Sequence, residues 1–212
     1  MNSYRRRSTS VAPVLALDGP SRFYGKLLGA SSRVLVLGAG DGLVAAALAS
    51  RGHEVVAVEA SASLRALVLE RKATLAHPER LGVVSDDPRT LDLGRKFALV
   101  IAPHQALGLA RSPDELHALL SVMARHLEVD GTFAFDALNE PRTGEMQRPR
   151  GVPHLRTRSE AIHPLSPLRL SASTVDEALD SVGLVARERF ADFNEAPFSS
   201  EAELQIVVGG AA

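Results

Sequence analysis

The sequence predicts an α/β protein built on a mostly parallel sheet, with helices on both faces. Three observations carry this reading. Short, continuously apolar runs alternate with helix-like stretches as far as Asp136. A glycine-rich turn follows the first apolar run. The last two strand-like runs are joined by a loop too short for a helical crossover. Such alternation specifies βαβ units, hence parallel neighbours with right-handed crossovers.

The elements follow in order. Asp18-Gly19-Pro20 opens a helix to about Leu28, with Pro20 near its first turn. Val34-Leu35-Val36-Leu37 is apolar without alternation, as a strand buried on both faces must be. Residues 43–51 read as a helix closed by Gly52, and 55–58 as a second buried strand. A helix over 64–77 stops at Pro78; strands follow at 81–84 and 97–101. Ser112-Pro113-Asp114-Glu115 is a capping box with proline at the first helical position, so a helix runs to about Leu127. A fifth strand covers 132–135, and the rhythm breaks after Asp136. Residues 139–172 hold five prolines and no clean periodicity. Thr174-Val175-Asp176-Glu177 is a second capping box, opening a helix that stops at Gly183. Residues 184–190 and 204–208 then form an antiparallel pair, which gives seven strands in all.

Composition narrows the function. The chain has 212 residues, 45% apolar and 23% charged, which is ordinary for a folded domain of one core. Basic and acidic residues number 24 and 25, so there is no global basic excess to bind nucleic acid. The absence of cysteine rules out disulfides, thiolate metal sites and a cysteine nucleophile. The seven histidines show no tight ligand spacing, and no metal is expected. No apolar run reaches the 18 or so residues of a membrane span. Arg5-Arg6-Arg7 followed by 11–17 imitates a signal peptide, but the run is short, holds Pro13 and lacks a cleavage site. Residues 1–17 are expected to be a flexible arm, 18–212 a single cytoplasmic domain, and about 139–172 a segment capping its substrate.

The turn after the first strand is Gly38-Ala39-Gly40-Asp41-Gly42. Without a Cβ, such a turn lets backbone approach a ligand, and it opens a helix whose N–H groups face that ligand. Glu59 ends the second strand, roughly 20 residues on, where an acid can accept hydrogen bonds from both hydroxyls of a ribose diol. The loop alone fits two families. A dinucleotide oxidoreductase wants a small sixth residue, where this chain has Leu43; a methyltransferase loop of the G-x-G-x-G type matches Gly38, Gly40 and Gly42.

Beyond the loop, residues 34–61, Asp86-Asp87, 97–107, 116–139 and 191–208 together resemble the small-molecule class I S-adenosylmethionine (SAM) methyltransferases, and most of all bacterial relatives of the amino-sugar N-methyltransferases. The resemblance implies a Rossmann-like, seven-stranded sheet with a reversed last strand, and SAM as cofactor. It places Gly38, Ala39, Gly40, Asp41 and Gly42 around the methionine and ribose of SAM, with Glu59 and Ala60 at the ribose. Asp41 either contacts the ligand or caps the next helix. For adenine, spacing favours Asp87 as acceptor; hydrogen bonding favours Asp86, because Pro88 has no N–H to follow Asp87. Ala102 follows the fourth strand beside the cofactor, and His104 and Gln105 come next, where ligands gather in an open α/β sheet.

Methyl transfer is an in-line displacement at the sulfonium methyl, so the protein's main task is alignment. A base is needed only if the acceptor must lose a proton early. His104 is the candidate base or orienting residue, since histidine titrates near neutrality. Its other reading is a supporting hydrogen-bonding role. Tyr24 either covers the site or packs; Gln105 and Asn139 are candidate substrate contacts. His154, His163 and the arginines at 142, 148, 150, 156 and 158 lie in the capping segment. Arginine there fits an anionic acceptor. The expected partner is a small-molecule acceptor, with no nucleic acid and no membrane; the Asn-Pro-Pro-Tyr motif of base methylation is absent. The sequence does not set an oligomeric state. Departures from the family pattern are Pro88, Gln105, Val129-Asp130-Gly131 and a short capping segment. They keep open a non-catalytic SAM- or nucleoside-binding module acting through a protein partner.

Overall fold

The computed structural model describes residues 19–140 and 168–212. The arm at 1–17 and the middle of the capping segment, with its histidines and arginines, lie outside the described residues. Strands β1 (Arg33–Leu37), β2 (Glu54–Val58), β3 (Leu81–Val84), β4 (Phe97–Ala102) and β5 (Leu127–Asn139) alternate with helices α2 (Leu43–Ser50), α3 (Ala62–Ala73) and α4 (Pro113–His126). Helix α1 (Gly19–Lys26) precedes them. A two-residue strand β6 (Arg169–Leu170), α5 (Ala172–Asp180), β7 (Leu184–Phe190) and β8 (Leu204–Ala211) follow.

The sheet runs β3-β2-β1-β4-β5-β8-β7, with β6 beside the end of β5. Pairings from β3 through β5 are parallel; β8 lies antiparallel to both β5 and β7. The last strand is therefore reversed, as the class I fold requires. The apolar runs follow from burial on two faces. Val34 and Val36 of β1 join one core with α1, α2 and α3, while Leu35 and Leu37 join the other with α4 and α5. No face of β1 meets water, so alternation is lost.

Several element bounds differ from the sequence reading. Helix α3 ends at Ala73, and Pro78–Arg80 forms a separate 3-10 turn. Strand β5 starts at Leu127, directly from α4, because the Val129-Asp130-Gly131 stretch continues as strand and the β4 pairing absorbs a register shift between Phe97 and Leu99. Strand β8 extends to Ala211. The eighth strand, β6, is too short to give a hydrophobic period and was not foreseen. Among the described residues, no helix is long and apolar enough to cross a membrane.

Candidate active site

The parallel strands bring the carboxyl ends of β1, β2, β4 and β5 to one edge. The glycine loop leaves β1 there. Gly38, Gly40 and Gly42 take φ values of 68°, 59° and 81°. The loop is anchored at its start, where the N–H groups of Gly38 and Ala39 both donate to Val58 O at 3.0 Å. It is crowded at Gly38: an added Cβ would lie 2.8 Å from Ala106 Cβ, on the loop after β4. A left-handed φ and a near neighbour together demand glycine here.

Asp41 turns its carboxylate inward. Oδ1 accepts from Leu43 N at 3.1 Å, at the start of α2, and Oδ2 pairs with Arg71 at 2.5 Å. The guanidinium Nε also donates to Asp41 O at 2.8 Å. Of the two readings of Asp41, the helix-opening one matches these contacts.

Glu59 is nearly buried. Its Oε2 accepts from Gly40 N at 2.9 Å and its Oε1 from Ser61 N at 2.9 Å. Each carboxylate oxygen has a further lone pair available. The carboxylate thus ties the glycine loop to the end of β2 in a fixed orientation. Arg65 donates to the carbonyls of Glu59 and Ala60 at 3.1 Å each, and Ala60 is exposed beside it.

After β3, the two acids separate in role. Asp87 is held by Arg89, whose Nε and terminal nitrogen reach Oδ1 at 2.9 Å and Oδ2 at 2.7 Å. These hydrogen bonds hold the Asp87 carboxyl below its usual range. Arg89 also reaches Glu115 at 2.8 Å, locking the network to α4. Asp86 is exposed, and no hydrogen bond or ion pair among the described residues engages it.

Strand β4 ends at Ala102, which is fully buried. His104 and Gln105 then adopt left-handed backbone, at φ 60° and 58°. Two consecutive non-glycine residues in that region store strain, which persists only where surroundings enforce it. The His104 ring lies against the glycine loop: a Cβ on Gly40 would sit 3.4 Å from its Cδ2. Its Nε2 is buried without a hydrogen-bond partner among the described residues.

Asp136, inside β5, was not singled out in the sequence as a site residue. Its side chain is buried, with Oδ1 accepting from the Tyr24 hydroxyl at 2.8 Å and Oδ2 from Gln105 N at 2.9 Å. Burial pushes its pKa up, against the opposing pull of His104, Tyr24 and backbone N–H groups. The Tyr24 phenol is pushed well above its usual value, first by burial and then by the Asp136 charge. The signal in the sequence was a lone carboxylate inside the apolar stretch Phe133-Ala134-Phe135-Asp136-Ala137. A buried acid needs partners, and its partners mark this corner.

Tyr24 is itself fully buried, packed edge-on against Phe23 and Phe193. Asn139 is also buried, and its amide is spent elsewhere. Its Nδ2 donates to Ser200 O at 3.0 Å and Ala202 O at 2.8 Å, which fixes the turn before β8. The structure thus brings the glycine loop, Glu59, His104 and Gln105 together, and gives Asn139 a duty in the loop beyond.

Residues 34–131 match a family model described as a methyltransferase domain. Among solved structures, the CcbJ methyltransferase from Streptomyces caelestis superposes with a TM-score of 0.75 at 21% identity, covering 92% of this chain and 90% of that one. The glycopeptide N-methyltransferase MtfA, crystallised with SAM, gives 0.67 at 22% identity over 96% and 99% of the two chains. The sugar N-methyltransferase KedS8 from Streptoalloteichus sp ATCC 53650 gives 0.65 at 18% identity over 90% and 84%. Among curated protein sequences, none matches the chain. Residues 34–131 thus match a methyltransferase-domain model, and the chain has the fold of the SAM-dependent methyltransferases it is similar to. Glycopeptide and sugar N-methyltransferases stand among the structures it is similar to.

Proposed function

We propose that this protein transfers the methyl group of SAM to a nitrogen or oxygen of a small molecule. The observation that carries the reading is the Glu59 carboxylate, fixed by Gly40 N–H beside three left-handed glycines. In that setting Gly38, Ala39, Gly40 and Gly42 would line the methionine and ribose of SAM, and Glu59 would receive the ribose hydroxyls. Asp86 is the better adenine acceptor, because Asp87 is already occupied by Arg89. Ala60 and Ala102 would flank the cofactor without polar contact.

His104 and Gln105 stand where an acceptor would meet the methyl group. In this reading His104 orients the acceptor or takes its proton. The segment expected to cap the substrate, about 139–172, supports a small acceptor through the position of its described ends. One end is Asn139 of β5; the other is Leu168, whose N–H donates to Gly108 O at 2.7 Å, next to the His104 loop. Specificity tends to sit in such segments on a rigid scaffold. The similarity to sugar and glycopeptide N-methyltransferases favours an amine acceptor over a hydroxyl.

Calorimetric titration with SAM, S-adenosylhomocysteine (SAH) and NAD in parallel tests this. Micromolar binding of SAM and SAH without NAD is the expected result. Glu59→Ala should weaken SAH binding by about 2–4 kcal/mol, the worth of one or two charge-assisted hydrogen bonds. Unchanged affinity would remove Glu59 from the cofactor site.

A further inference from the structure

We infer that Asp136 is a positioning residue for methyl transfer: its carboxylate holds the strained His104–Gln105 corner against the glycine loop and ties that corner to helix α1 through Tyr24. The inference rests on the function proposed above.

Left-handed His104 and Gln105 would relax toward ordinary backbone if nothing held them. Backbone bonds from Ala106 N to Pro103 O at 3.3 Å and from Gly108 N to Gln105 O at 2.9 Å close the turn locally, and Asp136 Oδ2, 2.9 Å from Gln105 N, ties it to β5. Relaxation would carry the imidazole off Gly40 and Ala106 off Gly38, the two contacts that close the corner on the glycine loop. An acid inside a parallel sheet is costly to bury, and a neutral residue would serve the core better. Here the cost is matched by a specific geometry: one oxygen faces the corner and the other faces Tyr24. Tyr24 belongs to α1, whose Phe23 and Tyr24 rings pack on Phe190 and Phe193 near the end of the chain. One carboxylate therefore connects three separate parts of the fold at the point where the acceptor would bind.

The role is one of hydrogen-bond geometry, not of charge. Asparagine would keep it, because its Oδ1 can still accept from Gln105 N while its amide donates to a Tyr24 hydroxyl that turns from donor to acceptor. Alanine would lose both bonds.

The experiment measures SAH affinity by calorimetry for wild type, Asp136→Ala, Asp136→Asn and Tyr24→Phe, with thermal unfolding recorded for each. It also follows the His104 imidazole signals on SAH addition by NMR, assigned with His104→Gln. We expect Asp136→Ala to bind SAH at least about tenfold more weakly. Its His104 signals should no longer respond to SAH, and Asp136→Asn should restore both properties. A purely structural role would lower the unfolding temperature without abolishing the imidazole response. Asp136→Ala with wild-type affinity and an unchanged imidazole response overturns the inference, as does an Asp136→Asn protein no better than alanine. If Asp136→Ala does not fold, Tyr24→Phe decides: a loss of about threefold or more supports the link, and no loss overturns it. Wild-type protein that does not bind SAH overturns the cofactor reading together with the inference, whereas wild-type binding with an unaffected alanine variant overturns the inference alone.

Discussion

Replacing Gly38 by alanine tests the crowding at the glycine loop, and Gly94→Ala provides its control. The two glycines have similar left-handed backbone, φ 68° and 61°. A Cβ at Gly94 meets nothing within 4 Å, whereas one at Gly38 lies 2.8 Å from Ala106 Cβ. Left-handed backbone costs an L-residue roughly 1–2 kcal/mol. The narrower unfolded ensemble of alanine returns about 0.4–1 kcal/mol. Gly94→Ala should therefore lose about 1 kcal/mol. Gly38→Ala bears the same backbone cost and adds about 1–3 kcal/mol of overpacking, because the atom it strikes is a short side chain on a packed loop. The expected loss is about 2–4 kcal/mol. Urea unfolding with a shared slope measures both variants. The displaced contact is the one that seats the loop after β4, so SAH affinity should fall for Gly38→Ala and stay unchanged for Gly94→Ala. Equal stability losses at the two positions would refute the contact, and with it the claim that the two loops close on each other.

Three further predictions follow from the same geometry. Asn139→Leu leaves the carbonyls of Ser200 and Ala202 without their donor and should cost about 1–3 kcal/mol in urea unfolding. Gly209→Ala places a Cβ 2.0 Å from Val185 O and 2.6 Å from Phe133 Cζ, so a loss of about 1–3 kcal/mol or more is expected, again by urea unfolding. Hydrogen bonds from Arg111, with Arg89 nearby, pull the Glu115 carboxyl from 4.5 down to about 2. A depressed carboxylate stabilises the fold above its ordinary pKa and ceases to do so as pH falls through its folded value. Unfolding temperature should therefore drop between about pH 4.5 and 2, and Glu115→Gln should flatten that part of the profile; an identical profile would refute the pairing.

The frame of the fold was legible because the signals were local. Buried strands such as 34–37 carry no polar residue, capping boxes at Ser112 and Thr174 mark helix starts, and the spacing of Gly38 to Glu59 reports one βαβ unit. The capping box at 174 was read late by a few residues: the cap is Ser171, whose hydroxyl accepts from Thr174 N. What sequence could not give were contacts across distant segments. Asp136 meets Tyr24 112 positions away and Gln105 31 positions away, and no local pattern encodes either bond. Asn139 was a candidate substrate contact from the resemblance, and its amide bonds to residues 200 and 202 join segments too distant in sequence for any local pattern to show. The pairing of Asp87 with Arg89, and of Arg89 with Glu115 on another helix, bears on the choice between Asp86 and Asp87, and spacing alone could not weigh it.

The order of the last strands has a consequence for how the chain is made. Strand β8 sits between β5 and β7, although it follows both in sequence and so leaves the ribosome after them. Until residues 204–211 emerge, the β5 edge from Phe133 to Leu138 is a row of unpaired N–H and carbonyl groups flanked by buried aromatics. Such an edge is a template for any other strand that meets it. Strand β7 cannot cover it, because its own pairing runs only to β8. Nascent chains stalled before residue 204 should therefore be the aggregation-prone species, and insertion of β8 is the step that closes the sheet during synthesis.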